Sequence, residues 1–134
     1  MRENLKERRA HKIVVSTIDH PRLTGIANAA LGRLPELAEE LLSEMERARI
    51  APAERIPANT VQMGSKVAYK ADDGEVKHIT LVYPGEADIE QGKVSILTPL
   101  GTALIGLSEG QAVTWTARNG KRLSVEIIEV NQNA

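Results

Sequence analysis

The spacing of apolar residues changes near Pro52 to Asn59, from a helical period before that stretch to strand-like alternation after it. Met1 to Lys12 (MRENLKERRAHK) is charged throughout and reads as a polar arm with little to bury. Ile13-Val14-Val15 is a short apolar run, after which Ser16, Thr17 and Asp19 offer helix caps ahead of Pro21, whose missing N–H costs little in a first turn. Leu23, Ile26, Ala27, Ala30 and Leu31 fall at i, i+3, i+4, i+7 and i+8, so a helix starting near Asp19 presents one apolar face and stops at Gly32. A second helix opens at Pro35, where Leu34, Ala38, Leu41, Met45 and Ala48 alternate steps of four and three, the seam of a short coiled coil. The turn Gly32-Arg33-Leu34 is so short that the two helices must run antiparallel. Glu36, Glu39 and Glu40 near the start of the second helix, and Arg47 and Arg49 near its end, suit the helix dipole. Leu37 and Leu42, beside the seam, form a second apolar stripe through which copies of the chain could associate; the oligomeric state is open.

Beyond the prolines, Val61 to Ala71 and Val76 to Tyr83 are rich in β-branched residues and flank the turn residues Asp72-Asp73-Gly74, which predicts a hairpin. Val94 to Leu97 is a short strand. Thr98-Pro99 then places a capping hydroxyl before a proline, the start of a small helix reaching about Leu107 and closed by Gly110. Gln111 to Arg118 and Lys121 to Asn131 flank Asn119-Gly120, a two-residue hairpin signal. The expected fold is α+β: a polar arm over 1–12, a short antiparallel helical hairpin over 13–51, a linker over 52–60, and over 61–134 an antiparallel sheet domain with one small helix.

Composition narrows the function classes. A chain of 134 residues has room for one small domain and an appendage. Seventeen basic against 18 acidic residues give a net charge of -1, so direct nucleic-acid binding is expected to be absent or weak, and the Arg8-Arg9 pair is read as solvated surface. Without cysteine there are no disulfides, thiolate metal sites or cysteine nucleophiles, which fits a cytoplasmic protein. No apolar run approaches the roughly 20 residues that cross a bilayer. The aromatic residues are Tyr69, Tyr83 and Trp115 alone, too few for a base-stacking platform.

The C-terminal residues carry a more specific pattern. Val61-x-Met63-Gly64-Ser65-x-Val67, then Glu86-Ala87-Asp88, then Val94-Ser95-Ile96-x-Thr98-Pro99-Leu100-Gly101-x-Ala103-Leu104-Ile105-Gly106 and Gly110 resemble the C-terminal domain of the GreA/GreB transcription elongation factors. Leu81-Val82-Tyr83-Pro84 is similar to the short-hairpin branch called regulators of nucleoside diphosphate kinase. The resemblance covers about residues 60 to 130. It implies an FKBP-like sheet domain that docks at the rim of the secondary channel of RNA polymerase while the hairpin approaches the channel. Gre factors carry at the hairpin tip a segment like Gly-Asp-Leu-x-Glu-Asn-Ala-Glu, whose first two acids help hold magnesium at the polymerase active centre. Gly32-Arg33-Leu34-Pro35-Glu36-Leu37-Ala38-Glu39 resembles that segment with Glu36 kept and the aspartate replaced by Arg33. A guanidinium removes a hard oxygen ligand and sets like charge beside the metal, so metal delivery is expected to fail. A second helix running from Pro35 to Ile50 is about 24 Å long at 1.5 Å per residue, short for reaching an active centre. The resemblance also assigns polymerase docking to Thr98 and Pro99, with Leu97 departing from the family's polar residue; Thr98-Pro99 is equally a good helix start. Glu86-Ala87-Asp88 is either a presented surface or a solvated acidic turn.

The expectation is a non-catalytic modulator of RNA polymerase that competes with cleavage factors, with an active Gre-type cleavage factor as the alternative within the family. Enzyme chemistry finds no constellation. His11, His20 and His78 lack metal-ligand spacing, Gly101 and Gly106 lack the Lys-Ser/Thr of a phosphate loop, and the serines sit in no nucleophile elbow, so no catalytic residue, metal or cofactor is assigned. The alternative of a different class is an FKBP-like peptidyl-prolyl isomerase, for which only Tyr69, Tyr83 and Trp115 are available to wall a pocket; Trp115 alternates with Val113 and Ala117 and reads as core.

Overall fold

A computed structural model describes residues 12–116 and 120–132. The Arg8-Arg9 pair, His11, Ala117, Asn119, the side chain of Trp115 and all of the polar arm but Lys12 lie outside the described residues. In chain order the elements are β1 (Val14–Ser16), α1 (Asp19–Ala30), α2 (Pro35–Arg47), β2 (Arg49–Ala51), β3 (Lys66–Lys70), β4 (Val76–Val82), β5 (Lys93–Ser95), α3 (Pro99–Leu104), β6 (Ala112–Thr116) and β7 (Arg122–Asn131). The class is α+β, as the patterning predicts.

The two helices form the expected antiparallel hairpin. The Asp19 amide that opens α1 donates to Ser16 Oγ at 2.9 Å, and Leu23, Ala27 and Ala30 of α1 are buried, as are Ala38, Leu41 and Met45 of α2. Leu31 caps the helix end and is exposed, so it leaves the face that spacing assigned to it. The second helix is shorter than expected. It stops at Arg47 because Ala48 turns extended and Arg49–Ala51 pairs in parallel with Val14–Ser16, giving these backbone groups strand partners in place of helical ones. At 13 residues, α2 is about 20 Å long.

The remaining strands make one sheet in the order β5-β4-β3-β7-β6. Its three longer pairings are antiparallel, but β5 runs parallel to β4, so the expected all-antiparallel sheet is corrected to a mixed one. A parallel return needs a crossover. Two 3-10 turns, Pro84–Glu86 and Ile89–Gln91, supply it in place of a tight hairpin. In β7 the sequence Ile127-Ile128 offers two adjacent isoleucines to one inward position. A bulge opposite Ala68/Tyr69 resolves the conflict: Ile127 pairs with Tyr69 and is buried, Val130 pairs with Val67 and is buried, and Ile128 is left outside at 43% exposure.

Helix α3 ends at Leu104, earlier than expected, because Ile105 leaves the helical region at ψ 130° and Gly106 takes φ +82°. Gly106 is where the hairpin and the sheet domain meet. A methyl group on it would lie 2.5 Å from Ile13 Cβ and 3.2 Å from Ile13 Cα, so only glycine serves both the backbone angle and the approach. Ile13, Val15, Leu23, Leu41 and Met45 thereby join one apolar cluster with Val61, Leu81, Ile96, Leu104, Leu107 and Ile127. Polar links reinforce this seam. Gln62 Nε2 donates to the Val14 carbonyl at 2.8 Å, and the phenol of Tyr83, just after β4, donates to Asp19 Oδ1 at 2.6 Å. Burial, and then the bond to Asp19, raise the Tyr83 pKa far above its ordinary value of 10.0, with Arg22 opposing.

Two outcomes test this seam. Gly106→Ala is expected to cost about 3 kcal/mol, from a left-handed angle plus overpacking, whereas Gly25→Ala, on the exposed face of α1 with nothing within 4 Å, is expected to gain about 0.5–1 kcal/mol; urea denaturation of both measures the contrast. The folded state holds the Tyr83 proton more tightly than the unfolded chain, so this bond stabilises fully below about pH 10 and progressively less as pH rises above it. Tyr83→Phe is therefore expected to lose about 1 kcal/mol at pH 7, and the gap to the unaltered protein should narrow in melts at pH 10.5 and above.

Candidate functional site

The hairpin tip is built by backbone hydrogen bonds. The amides of Arg33 and Leu34 both donate to the Ala30 carbonyl, at 3.0 and 2.8 Å, which closes α1, and Pro35 starts α2 at once. Leu34 turns inward and is half-buried, while Gly32, Arg33, Pro35 and Glu36 are exposed. Arg33 and Glu36 thus both stand on the solvent-facing end of the hairpin, the second in the first turn of α2. Sequence reading placed both at the tip, and both lie exposed on the turn and first helical residues there.

Thr98 and Pro99 lie at a different place, where α3 leaves the edge of the sheet. Thr98 Oγ1 accepts the Gly101 amide at 3.0 Å and donates to the Ser95 carbonyl at 2.7 Å, so its hydroxyl spends both roles inside the protein. Thr102 Oγ1 donates to the Ile96 carbonyl at 2.9 Å, a second tie between α3 and the end of β5. Gly101 permits this approach, since a methyl there would meet the Ser95 carbonyl oxygen and sit 2.9 Å from Ile96 Cα. Pro99 is exposed and Leu97 packs half-buried against the core, which accounts physically for an apolar residue at that position.

The outer edge of β5 is covered by the crossover. Asp88 and Lys93 exchange backbone hydrogen bonds of 2.9 and 2.8 Å, and residues 84–91 are exposed without interruption, including Glu86, Ala87 and Asp88. Ile89, in the second 3-10 turn, is 88% exposed, a position the sequence reading did not single out because neither period nor charge marks it. Tyr83 was likewise missed as a joint: its partner Asp19 is 64 residues away. Beside it, a shallow depression lies between Tyr83 and the Arg22, Gly25, Ile26 and Ala29 face of α1. Among the described residues, no group of three or more His, Asp or Glu side chains is placed to hold a metal ion. No helix among the described residues is long and apolar enough to cross a membrane.

Comparison with known proteins agrees with this layout. Residues 56–132 match the family described as transcription elongation factor, GreA/GreB, C-term, and residues 11–50 match the one described as Rnk N-terminus. The regulator of nucleoside diphosphate kinase of Escherichia coli (strain K12) is 32% identical over 120 residues, covering 88% of each chain. The transcription elongation factor GreA of Thermodesulfovibrio yellowstonii is 39% identical over 94 residues, which are 69% of this chain and 59% of that one. Among solved structures, a prokaryotic transcription elongation factor GreA/GreB from Nitrosomonas europaea superposes with a TM-score of 0.74 at 35% identity, covering 90% of this chain and 99% of that one. With its sheet and small helix inside the GreA/GreB C-terminal match and its helical hairpin inside the Rnk N-terminal one, the chain belongs to the GreA/GreB family of transcription elongation factors, carrying the family's C-terminal module behind an Rnk-type N-terminal segment.

Proposed function

We propose that this protein binds RNA polymerase at the rim of the secondary channel through its sheet domain, lays its hairpin at the channel entrance, and does not stimulate transcript cleavage. The observation that carries the reading is the tip, where exposed Arg33 stands at the position that resemblance to Gre factors gives to a metal-holding acid. One remaining carboxylate, Glu36, beside a fixed positive charge is a poor site for a divalent cation, which wants several anionic oxygens. Helix length supports the same reading, because the helical part of α2 spans about 20 Å and the chain then returns to the sheet domain. Family membership supports the docking half, since the module matched over residues 56–132 is the elongation-factor one. Within that module Pro99 is the exposed member of the Thr98-Pro99 pair, and the Thr98 hydroxyl acts by fixing the turn that presents it. The protein's effect is then competitive occupancy, with no catalytic residue or cofactor of its own.

A pull-down with core RNA polymerase is expected to retain the protein at micromolar concentration and to lose it when a Gre factor is added in excess; no retention would overturn the proposal. In backtracked elongation complexes no short 3′ transcript should be released. Arg33→Asp should leave that result unchanged, because reach as well as charge is limiting. Release by the unaltered protein would make it an active cleavage factor.

A further inference from the structure

The proposed interface needs an anchor besides Thr98, whose hydroxyl has its one proton and one of its lone pairs bonded within the chain. We infer that Ile89 is that anchor: it inserts into an apolar recess of RNA polymerase bordered by lysine or arginine side chains. The inference rests on the polymerase-binding reading above and deepens it.

Three observations carry it. First, Ile89 is 88% exposed, against 61% for Ile18 and 50% for Val76, so nearly its whole side chain is available to a partner. Single exposed apolar residues are common on surfaces, and exposure alone decides nothing. Secondly, the backbone beneath Ile89 is fixed. The Gln91 amide donates to the Asp88 carbonyl at 3.1 Å, the Gly92 amide to the Ile89 carbonyl at 3.0 Å, and the Asp88–Lys93 pair clamps the turn to β5. A side chain held outward by an ordered turn loses little conformational freedom when a partner covers it, which is the condition for an efficient anchor. Thirdly, its position and surroundings fit one kind of partner. Ile89 borders the Lys93 end of β5 while Thr98 is bonded to Ser95 at the other end, two residue steps or roughly 7 Å along the strand, so Ile89 and Pro99 flank one edge. Glu86, Asp88 and Glu90 are exposed on the same turn segment. An apolar knob among three carboxylates complements a recess with a basic rim, and repels an acidic surface such as nucleic-acid backbone.

The test is binding of the full chain to core RNA polymerase by fluorescence anisotropy, with melting temperatures recorded for every variant. Ile89→Asp is expected to weaken binding at least tenfold, and Ile89→Ala by several fold, with unchanged melting temperatures because the residue packs against nothing. Val76→Asp, four residues before Thr80, the β4 partner of Lys93, is the exposed aliphatic control and should bind as the unaltered protein does. Glu86→Lys combined with Glu90→Lys should weaken binding and flatten its salt dependence. If the unaltered protein binds and Ile89→Asp binds equally well, the anchor is refuted while the polymerase-binding reading stands. If the unaltered protein does not bind, both fall.

Discussion

Gly106 accepts Ile13 only because it has no Cβ, and that approach decides where the N-terminal segment enters the molecule. With Ile13 seated, β1 is held where β2 can pair with it, and the hairpin's apolar stripe faces the same cluster that the sheet and α3 bury. The hydrogen bonds from Gln62 to the Val14 carbonyl and from Tyr83 to Asp19 then add direction to what apolar burial leaves free to slide. Burial supplies most of the driving force, and the polar contacts select one register of hairpin against sheet.

The sheet edge at β5 shows a division of labour among neighbouring residues. Thr98, Ser95, Thr102 and Gly101 use their polar atoms and small size to hold α3 against the strand. Pro99, the carboxylates of the crossover and Ile89 stay exposed beside them, so the proposed contact surface is formed by side chains that these polar ties leave outside. In the proposed docking, a motif centred on a hydroxyl and a proline would mark an interface through the turn it fixes, with the hydroxyl bonded within the chain.

The elements announced by local chemistry were legible in the sequence. Pro35 begins α2, Thr98-Pro99 caps α3, and Asp72-Asp73-Gly74 closes the β3–β4 hairpin with Gly74 at φ +83° and Asp73 accepting the Glu75 amide. What depended on distant partners was not. Arg49–Ala51 carries no strand signature of its own and becomes one because β1 lies alongside, so the second helix was read three residues too long. The parallel sense of β5 follows from the crossover path, and the bulge at Ile128 from competition between two isoleucines for one site; both are settled by the sheet as a whole. Arg33 and Glu36 could be placed at the tip from the short turn alone, where sequence neighbours are also spatial neighbours. Ile89 was not, because exposure is a property of the fold.

The pairing of β1 with β2 has a consequence for how such proteins diversify. The chain enters and leaves the hairpin on two adjacent parallel strands, about 4.8 Å apart, and everything between them departs and returns through that one gate. Residues added in matched numbers to both helices, in steps that preserve the seam, would move the tip outward without disturbing either strand or the sheet beyond. Tip distance and tip chemistry are thus variables separable from the base, and one scaffold can carry hairpins of different length and tip charge.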